Sequence, residues 1–505
     1  MVWFTFKVQI ILLLACPMII PSTNAEFDSM EFWRKRNNLI DEEKSLAFGG
    51  KTPFYSESEI RANDILMKHK SSEINEAFFN SSEFAPSRNF MSVRKSIEDS
   101  NVFKIIRKMP KGAVLNVHAS ALVSAKWVYE NVTFRDNVYI CIRPEKLLLR
   151  IFDKPSNDCN WQLLSDLRNA NETARTQINS RILRQLTLGT EGQAESYSSE
   201  DDLWAKFKKV FDLRVPLLRY KPLFEDYLYQ GLKELYDDNV FFLEVRTPLL
   251  EMYDLDGKTY DEKESTEVYI NVTNRFMRDH PDFMGVKIIY SIYRKMISSN
   301  LTETIKKIIQ LQQIYPNVIA GIDLIGQEDL GYPLRNWISV LEPFINKTDF
   351  YFHAGETNWY GLESDENLFD AVLLNSKRIG HGYAIVKHPK IMELIKQKRM
   401  AVEVCPIANQ VLALITDLRN HPASILFAQN FSIVISSNDP GVWGATALSY
   451  DFYEAFMGLM SNHSDIRALK QLAINSIHFS SMNQGQKARA VEIWVQKWKD
   501  FVDMV

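Results

Sequence analysis

Val318-Ile-Ala-Gly-Ile-Asp-Leu324, Phe350-Tyr-Phe-His353, Arg378-Ile-Gly-His381 and Met400-Ala-Val-Glu-Val404 follow one another in the second half of the chain. Each is short, apolar, and mostly rich in β-branched or aromatic residues. That composition suits a strand buried on both faces. The stretches Glu366 to Ser376 and Pro389 to Gln397 read as helices between them. The same rhythm continues outward. Ala113-Val-Leu-Asn-Val117, Val240-Phe-Phe-Leu-Glu-Val245 and Gly285-Val-Lys-Ile-Ile-Tyr290 lie upstream, and Phe431-Ser-Ile-Val-Ile435 lies downstream. Further helical stretches run from Phe224 to Tyr236 and from Thr302 to Gln313. Eight strands alternating with helices predict an α/β fold, a parallel (β/α)8 TIM barrel over residues 108–505.

Three segments stand apart from that rhythm. The gap between the first two strands is too long for one helix, so residues 128–190 read as an inserted subdomain. Residues 26–107 are polar and helical in pattern, and read as an N-terminal arm. The arm is either a surface-packed extension or an oligomerisation element. At the other end Val491, Trp494, Val495, Trp498, Phe501 and Val502 fall at helical spacing, a stripe expected to close the barrel.

The 505 residues are 46% hydrophobic and 24% charged, as in an ordinary globular protein. With a formal net charge of −4, nothing suggests a nucleic-acid partner or a polybasic membrane surface. Residues 1–25 carry one Lys, an apolar run around Ile10-Ile-Leu-Leu-Leu14, and a polar end at Ala25. That is the layout of a secretory signal peptide, and the run is short for a membrane span. Asn-x-Ser/Thr sequons at Asn80, Asn131, Asn171, Asn271, Asn300, Asn346, Asn430 and Asn462 agree with export. In that setting Cys141 and Cys159 are candidates for a disulfide, whereas Cys405, after a strand-like run, reads as a buried thiol.

In such barrels functional residues sit at the C-terminal ends of the strands. Here those ends read Asn116-Val-His118-Ala119, Gly321-Ile-Asp-Leu-Ile-Gly326-Gln-Glu328, His353-Ala-Gly-Glu356, Gly380-His381-Gly382 and Ser436-Ser-Asn-Asp439-Pro440. Any one strand-end His could be structural. Three of them converging with Glu356 and Asp439 form the kind of set that metal-assisted hydrolysis uses.

Taken together with Met109-Pro-Lys-Gly-Ala113, Trp204 and Glu403-Val-Cys-Pro-Ile-Ala-Asn-Gln410, these motifs resemble the adenosine deaminase growth factor family. Those are secreted adenosine deaminases, and the resemblance runs along nearly the whole chain after residue 25. It implies a barrel of the metal-dependent hydrolase type, a homodimer, and zinc-dependent conversion of adenosine to inosine and ammonia. It also implies roles for particular residues. His118 and His353 would hold zinc, Glu356 would protonate the purine, and His381 would orient the attacking water. Asp439 and Gly326 would contact the purine, and Trp204 would wall the pocket.

The sequence departs from the family pattern at the metal. A His-x-His-Asp motif reads Asn116-Val-His118-Ala119, and an Asp-Asp-Pro motif reads Asn438-Asp439-Pro440. A Ser-Asp-His-Arg motif reads Ser291-Ile-Tyr-Arg294. Catalytic zinc normally keeps three imidazole, thiolate or carboxylate ligands. A full zinc site is worth roughly 10 kcal/mol or more, so replacing half the ligands with neutral amides should cost several. The expectation is weak or absent zinc and a pseudoenzyme that signals, or binds nucleosides, a cell-surface receptor or a glycan. The competing expectations are an active deaminase with an irregular zinc site, and a dimerisation partner of an active relative.

Overall fold

The computed structural model describes residues 28–505, apart from 145, 191, 192, 195, 196, 198 and 297. The expected signal peptide lies outside the described residues. Eight parallel strands form the centre: β1 (Gly112–His118), β2 (Val240–Thr247), β3 (Val286–Tyr293), β4 (Ile319–Ile325), β5 (Asp349–Phe350, resuming at His353–Ala354), β6 (Arg378–His381), β7 (Ala401–Val404) and β8 (Ile433–Ile435). The register runs Val117 to Val245, Val245 to Ile288, Tyr290 to Ile322, Ile322 to Phe350, His353 to Gly380, Ile379 to Val402 and Val404 to Ile435. The ring closes just beyond β8, where the His118 N–H donates to the Asn438 carbonyl (2.9 Å) and the Asn438 N–H to the Asn116 carbonyl (3.0 Å). Gly321 lets β4 lie against β5, since a Cβ there would stand 2.1 Å from the Asp349 carbonyl oxygen.

Every residue of β2 and of β6 to β8 is buried, as expected of strands covered on both sides. The barrel interior also holds a charged cluster. Arg246 donates to Asp323 (2.6 Å) and Glu403 (2.7 Å), and Arg378 donates to Glu403 (2.6 Å) and to Glu244. Buried charges persist only when paired in this way.

The segment between β1 and β2 contains a small antiparallel sheet, in which Val138–Ile142 pairs with Leu147–Ile151 and Gln162–Leu163, and helices Leu164–Ala170 and Glu172–Leu186. A disulfide joins Cys141, inside the first of these strands, to Cys159 (Cα–Cα 6.2 Å). Helices Glu200–Leu217 and Lys221–Asp237 then lead to β2.

The N-terminal region is helical, and its residues from Ser45 onward belong to the main unit. Helices Glu57–Phe79, Phe90–Asp99 and Asn101–Lys108 are capped by Ser56, Asn89 and Ser100. They place Leu66, Phe90, Ile97, Val102 and Ile106 in the hydrophobic core. By contrast, no residue of helix Ser29–Leu46 is buried. The described residues up to Lys44 and residues 45–505 form two separate units.

The C-terminal helix, Gln484–Met504, buries Trp494, Trp498, Phe501 and Val502 but leaves Val491 and Val495 exposed, so its apolar stripe is narrower than the spacing suggested. Trp494 Nε1 donates to the Pro110 carbonyl (3.0 Å) and Trp498 Nε1 to Glu59 (3.2 Å). The helix therefore ties the strand-one entry to the N-terminal helices. Among the described residues, no helix is long and apolar enough to cross a membrane.

Candidate functional site

The strand ends open into a cavity of about 940 Å³. His118, His353, Glu356, Asn438 and Asp439 line it, together with Trp204 from helix Glu200–Leu217 and Gly326 just beyond β4. Gly326 has φ +101°, and a Cβ there would strike the Tyr293 ring at 2.5 Å, so glycine is required. Two further residues of the expected site lie behind this surface. Asn116 is fully buried in β1. His381 is buried with its ring centroid 5.0 Å from that of His353. Both His381 and Asn438 adopt left-handed backbone (φ 57° and 56°) at their strand ends, a conformation found preferentially at functional sites.

On the β4–β5 side Asp323 and Glu328 are held by several contacts, although Glu356 Oε1 has no hydrogen-bond partner among the described residues. Asp323 accepts from the His353 backbone N–H (2.9 Å) and lies 2.6 Å from His353 Nδ1, while also accepting from Arg246. Burial opposes ionisation of Asp323, but the His353 ring and the Arg246 guanidinium hold its carboxyl well below the usual range. The ionised Asp323 fixes the orientation of the His353 ring through Nδ1. Glu328 fixes the next turn. It accepts from the N–H groups of Gly355 (2.9 Å) and Glu356 (2.7 Å) and from the Asn367 amide (2.6 Å). Burial, and then the neighbouring charges of Glu328 and Asp439, push the Glu356 carboxyl well above its usual value, which suits a proton donor.

A second chain of hydrogen bonds sets the proton on His381. The Ala423 N–H can only donate, and it reaches His421 Nδ1 (3.0 Å). Burial pushes His421 down to about 3, so the ring is neutral and its proton is on Nε2. That nitrogen meets Asn409 Oδ1 (3.1 Å), which turns Asn409 Nδ2 toward His381 Nδ1 (3.0 Å). His381 Nδ1 also lies 3.3 Å from Glu356 Oε1; with Nδ1 accepting from Asn409, the neutral His381 carries its proton on Nε2, an atom with no partner among the described residues. In this arrangement His381 Nε2 offers a donor and not a lone pair. It therefore cannot replace a missing metal ligand unless the whole chain is rewired.

The β8–β1 side lacks such matching. Asn116 Oδ1 and Nδ2, Asn438 Oδ1 and Asp439 Oδ1 are buried with no hydrogen-bond partner among the described residues. Burial pushes the Asp439 carboxyl up to about 8. Burial, followed by the nearby His353, holds the His118 imidazole well below its ordinary value and therefore neutral. The His118 and His353 rings stand 5.5 Å apart.

A four-ligand zinc site of the kind the resemblance implies would comprise those two imidazoles, the Asn116 amide and the Asn438 amide. Among the described residues, no three His, Cys, Asp or Glu side chains are grouped to hold a metal. Two imidazoles and two neutral amides do not fit four-coordinate zinc. Ala119 also lines the cavity, and with Ile292 and Tyr293 it makes that wall apolar. Asp323, Glu328, Asn409 and His421 were given no role from sequence. For Asp323 and Glu328 the only available signal was a polar residue inside or beside an otherwise apolar strand run.

Comparisons with known proteins bear on this geometry. Residues 180–497 match the family model for adenosine deaminase, and residues 11–106 match that for the adenosine/AMP deaminase N-terminal region. Adenosine deaminase 2 of Homo sapiens is 40% identical over 475 residues, covering 92% of each chain. Adenosine deaminase 2-A of Danio rerio is 39% identical over 477 residues, covering 93% of each. An adenosine deaminase of Phlebotomus duboscqi is 41% identical over 481 residues, covering 94% of this chain and 92% of the relative. Two solved structures resemble the fold, each at 16% identity. The N6-methyl-AMP deaminase of Arabidopsis thaliana has a TM-score of 0.54 and covers 78% of this chain and 98% of its own. A cog1816 amidohydrolase of Burkhoderia ambifaria, solved with bound Zn, has a TM-score of 0.55 and covers 80% and 94%.

Proposed function

The chain belongs to the adenosine deaminase family, and from that premise we propose that it is a secreted member that binds an adenosine-like nucleoside while its zinc-dependent deamination is lost or strongly weakened. The observation carrying this reading is the pair Asn116 and Asn438, neutral amides at two of the four positions where the resemblance expects ligands. Glu356, Asp439, Gly326 and Trp204 still line a concave polar and aromatic cavity that suits a nucleoside. Export is supported by the N-terminal layout and by the sequons, since all seven whose exposure is described carry an exposed Asn. A secreted glycoprotein of this kind would act as a homodimeric, growth-factor-like signal at a cell-surface receptor or glycan.

The test is metal content by elemental analysis, together with an adenosine turnover assay on the purified protein. The expected result is well under one zinc per chain and little or no inosine. In the triple variant Asn116→His, Asn438→Asp, Ala119→Asp, zinc occupancy should rise toward one. Stoichiometric zinc with robust turnover in the unmodified protein would overturn the proposal. That outcome would favour an active deaminase with an irregular site, a reading to which the intact Asp323–His353 pair lends weight.

A further inference from the structure

The cavity reaches well beyond the strand ends, to the inserted sheet. In the strand Leu147–Ile151, Leu147, Leu149 and Ile151 are buried, and the alternate residues Leu148 and Arg150 line the cavity. Arg143 and Lys146, at the turn before that strand, line it too. Helix Glu200–Leu217 contributes Lys208, one turn after Trp204, and Lys295 follows β3. Of these five cations, Lys146 pairs with Asp212 (3.6 Å). Arg143, Arg150, Lys208 and Lys295 have no ion-pair partner among the described residues. Two other carboxylates line the cavity and keep their charge: Asp158, held by Ser156 and Trp161 and acted on by Arg150, and Asp201, which accepts from Gln327 (3.0 Å). Five cations against the lining carboxylates Asp158, Asp201 and Asp212 leave the outer wall with an excess of positive charge that a neutral nucleoside does not call for. A phosphate does, because charge-assisted bonds from Arg and Lys are its usual recognition.

We infer that the cavity takes a purine nucleoside 5′-phosphate, with the base at the strand ends and the phosphate held by Arg150 and Lys208. This rests on the nucleoside reading above. A volume of about 940 Å³ has room for the longer ligand, near the upper end of the roughly 300–1,000 Å³ typical of small-molecule sites.

Calorimetric titration of the full-length protein with adenosine and with AMP tests this. AMP should bind at least about tenfold tighter at low ionic strength, and the advantage should shrink in high salt as the cations are screened. In the double variant Arg150→Gln, Lys208→Gln the ratio of the two affinities should fall toward one. Lys208→Gln alone, at an exposed helix position, should lower it part of the way and covers failure of the double variant to fold. Adenosine binding with no gain from the phosphate overturns this inference and leaves the nucleoside reading standing. Failure of both ligands to bind overturns both.

Discussion

The two sides of the barrel mouth differ in how their buried polar groups are satisfied. On the β4–β5 side Asp323, Arg246, Glu328 and His353 form a network in which each charged side chain has a partner. On the β8–β1 side Asn116, Asn438 and Asp439 present buried polar atoms with none. Both sides belong to one barrel and face one cavity. The difference teaches that scaffold and reactive groups can be separated. The network that holds His353 in place also holds the strands together, so its loss would cost stability. The side chains of Asn116 and Asn438 have no such partners, and the ring closes there through its backbone.

The largest effect expected from breaking this contrast is at Asp323. Asp323→Ala strands Arg246 with one buried carboxylate partner instead of two and frees the His353 ring. Stability should fall by about 3 kcal/mol, the cost of opening a buried ion pair, measured by urea denaturation. A loss under about 1 kcal/mol would mean that the network does not support the barrel.

Asp439 should give the next largest change, seen in pH dependence. Its folded value of about 8 lies above the unfolded one, so the folded chain binds the extra proton between them. The stability this group contributes is complete below about pH 4 and is lost progressively as pH rises toward 8. In Asp439→Asn that part of the slope should vanish. Melting curves from pH 5 to 8 that keep the same slope in the variant would refute the assignment.

Asn116→Leu sharpens the comparison from the opposite direction. Removing two unpartnered buried polar atoms and keeping the volume should leave stability unchanged or raise it by about 1 kcal/mol. A loss of about 2 kcal/mol or more would show that Asn116 holds something in solution. The smallest effect involves no free energy at all. Nitrogen-15 spectra should show His381 protonated at Nε2, and a proton found on Nδ1 would break the Ala423–His421–Asn409 chain of reasoning.

The eight strands were legible because a strand covered on both faces leaves an apolar run, and those runs recur in order from Ala113 to Ile435. The inserted segment was legible as a gap too long for one helix. The N-terminal region was read less well. Glu57–Phe79 has weak amphipathic patterning, since it packs through scattered residues such as Leu66 and through the buried Lys70, which donates to the Ser461 and Ser464 carbonyls (3.0 and 2.9 Å). In the site, His353, Glu356 and Asp439 were marked by their strand-end positions. Asp323 lies within an apolar run, and His421 in a loop before a short helix, where a polar residue looks no different from a structural one.

The order of the strands and the chemical identity of the groups at their ends were determined by sequence alone, because both follow from local pattern and residue type. Only the tertiary structure decided which of those groups are satisfied and which are left bare, and where the proton sits on His381. Those properties depend on partners 12 to 30 residues away, and the chain brings such partners together only when the barrel closes.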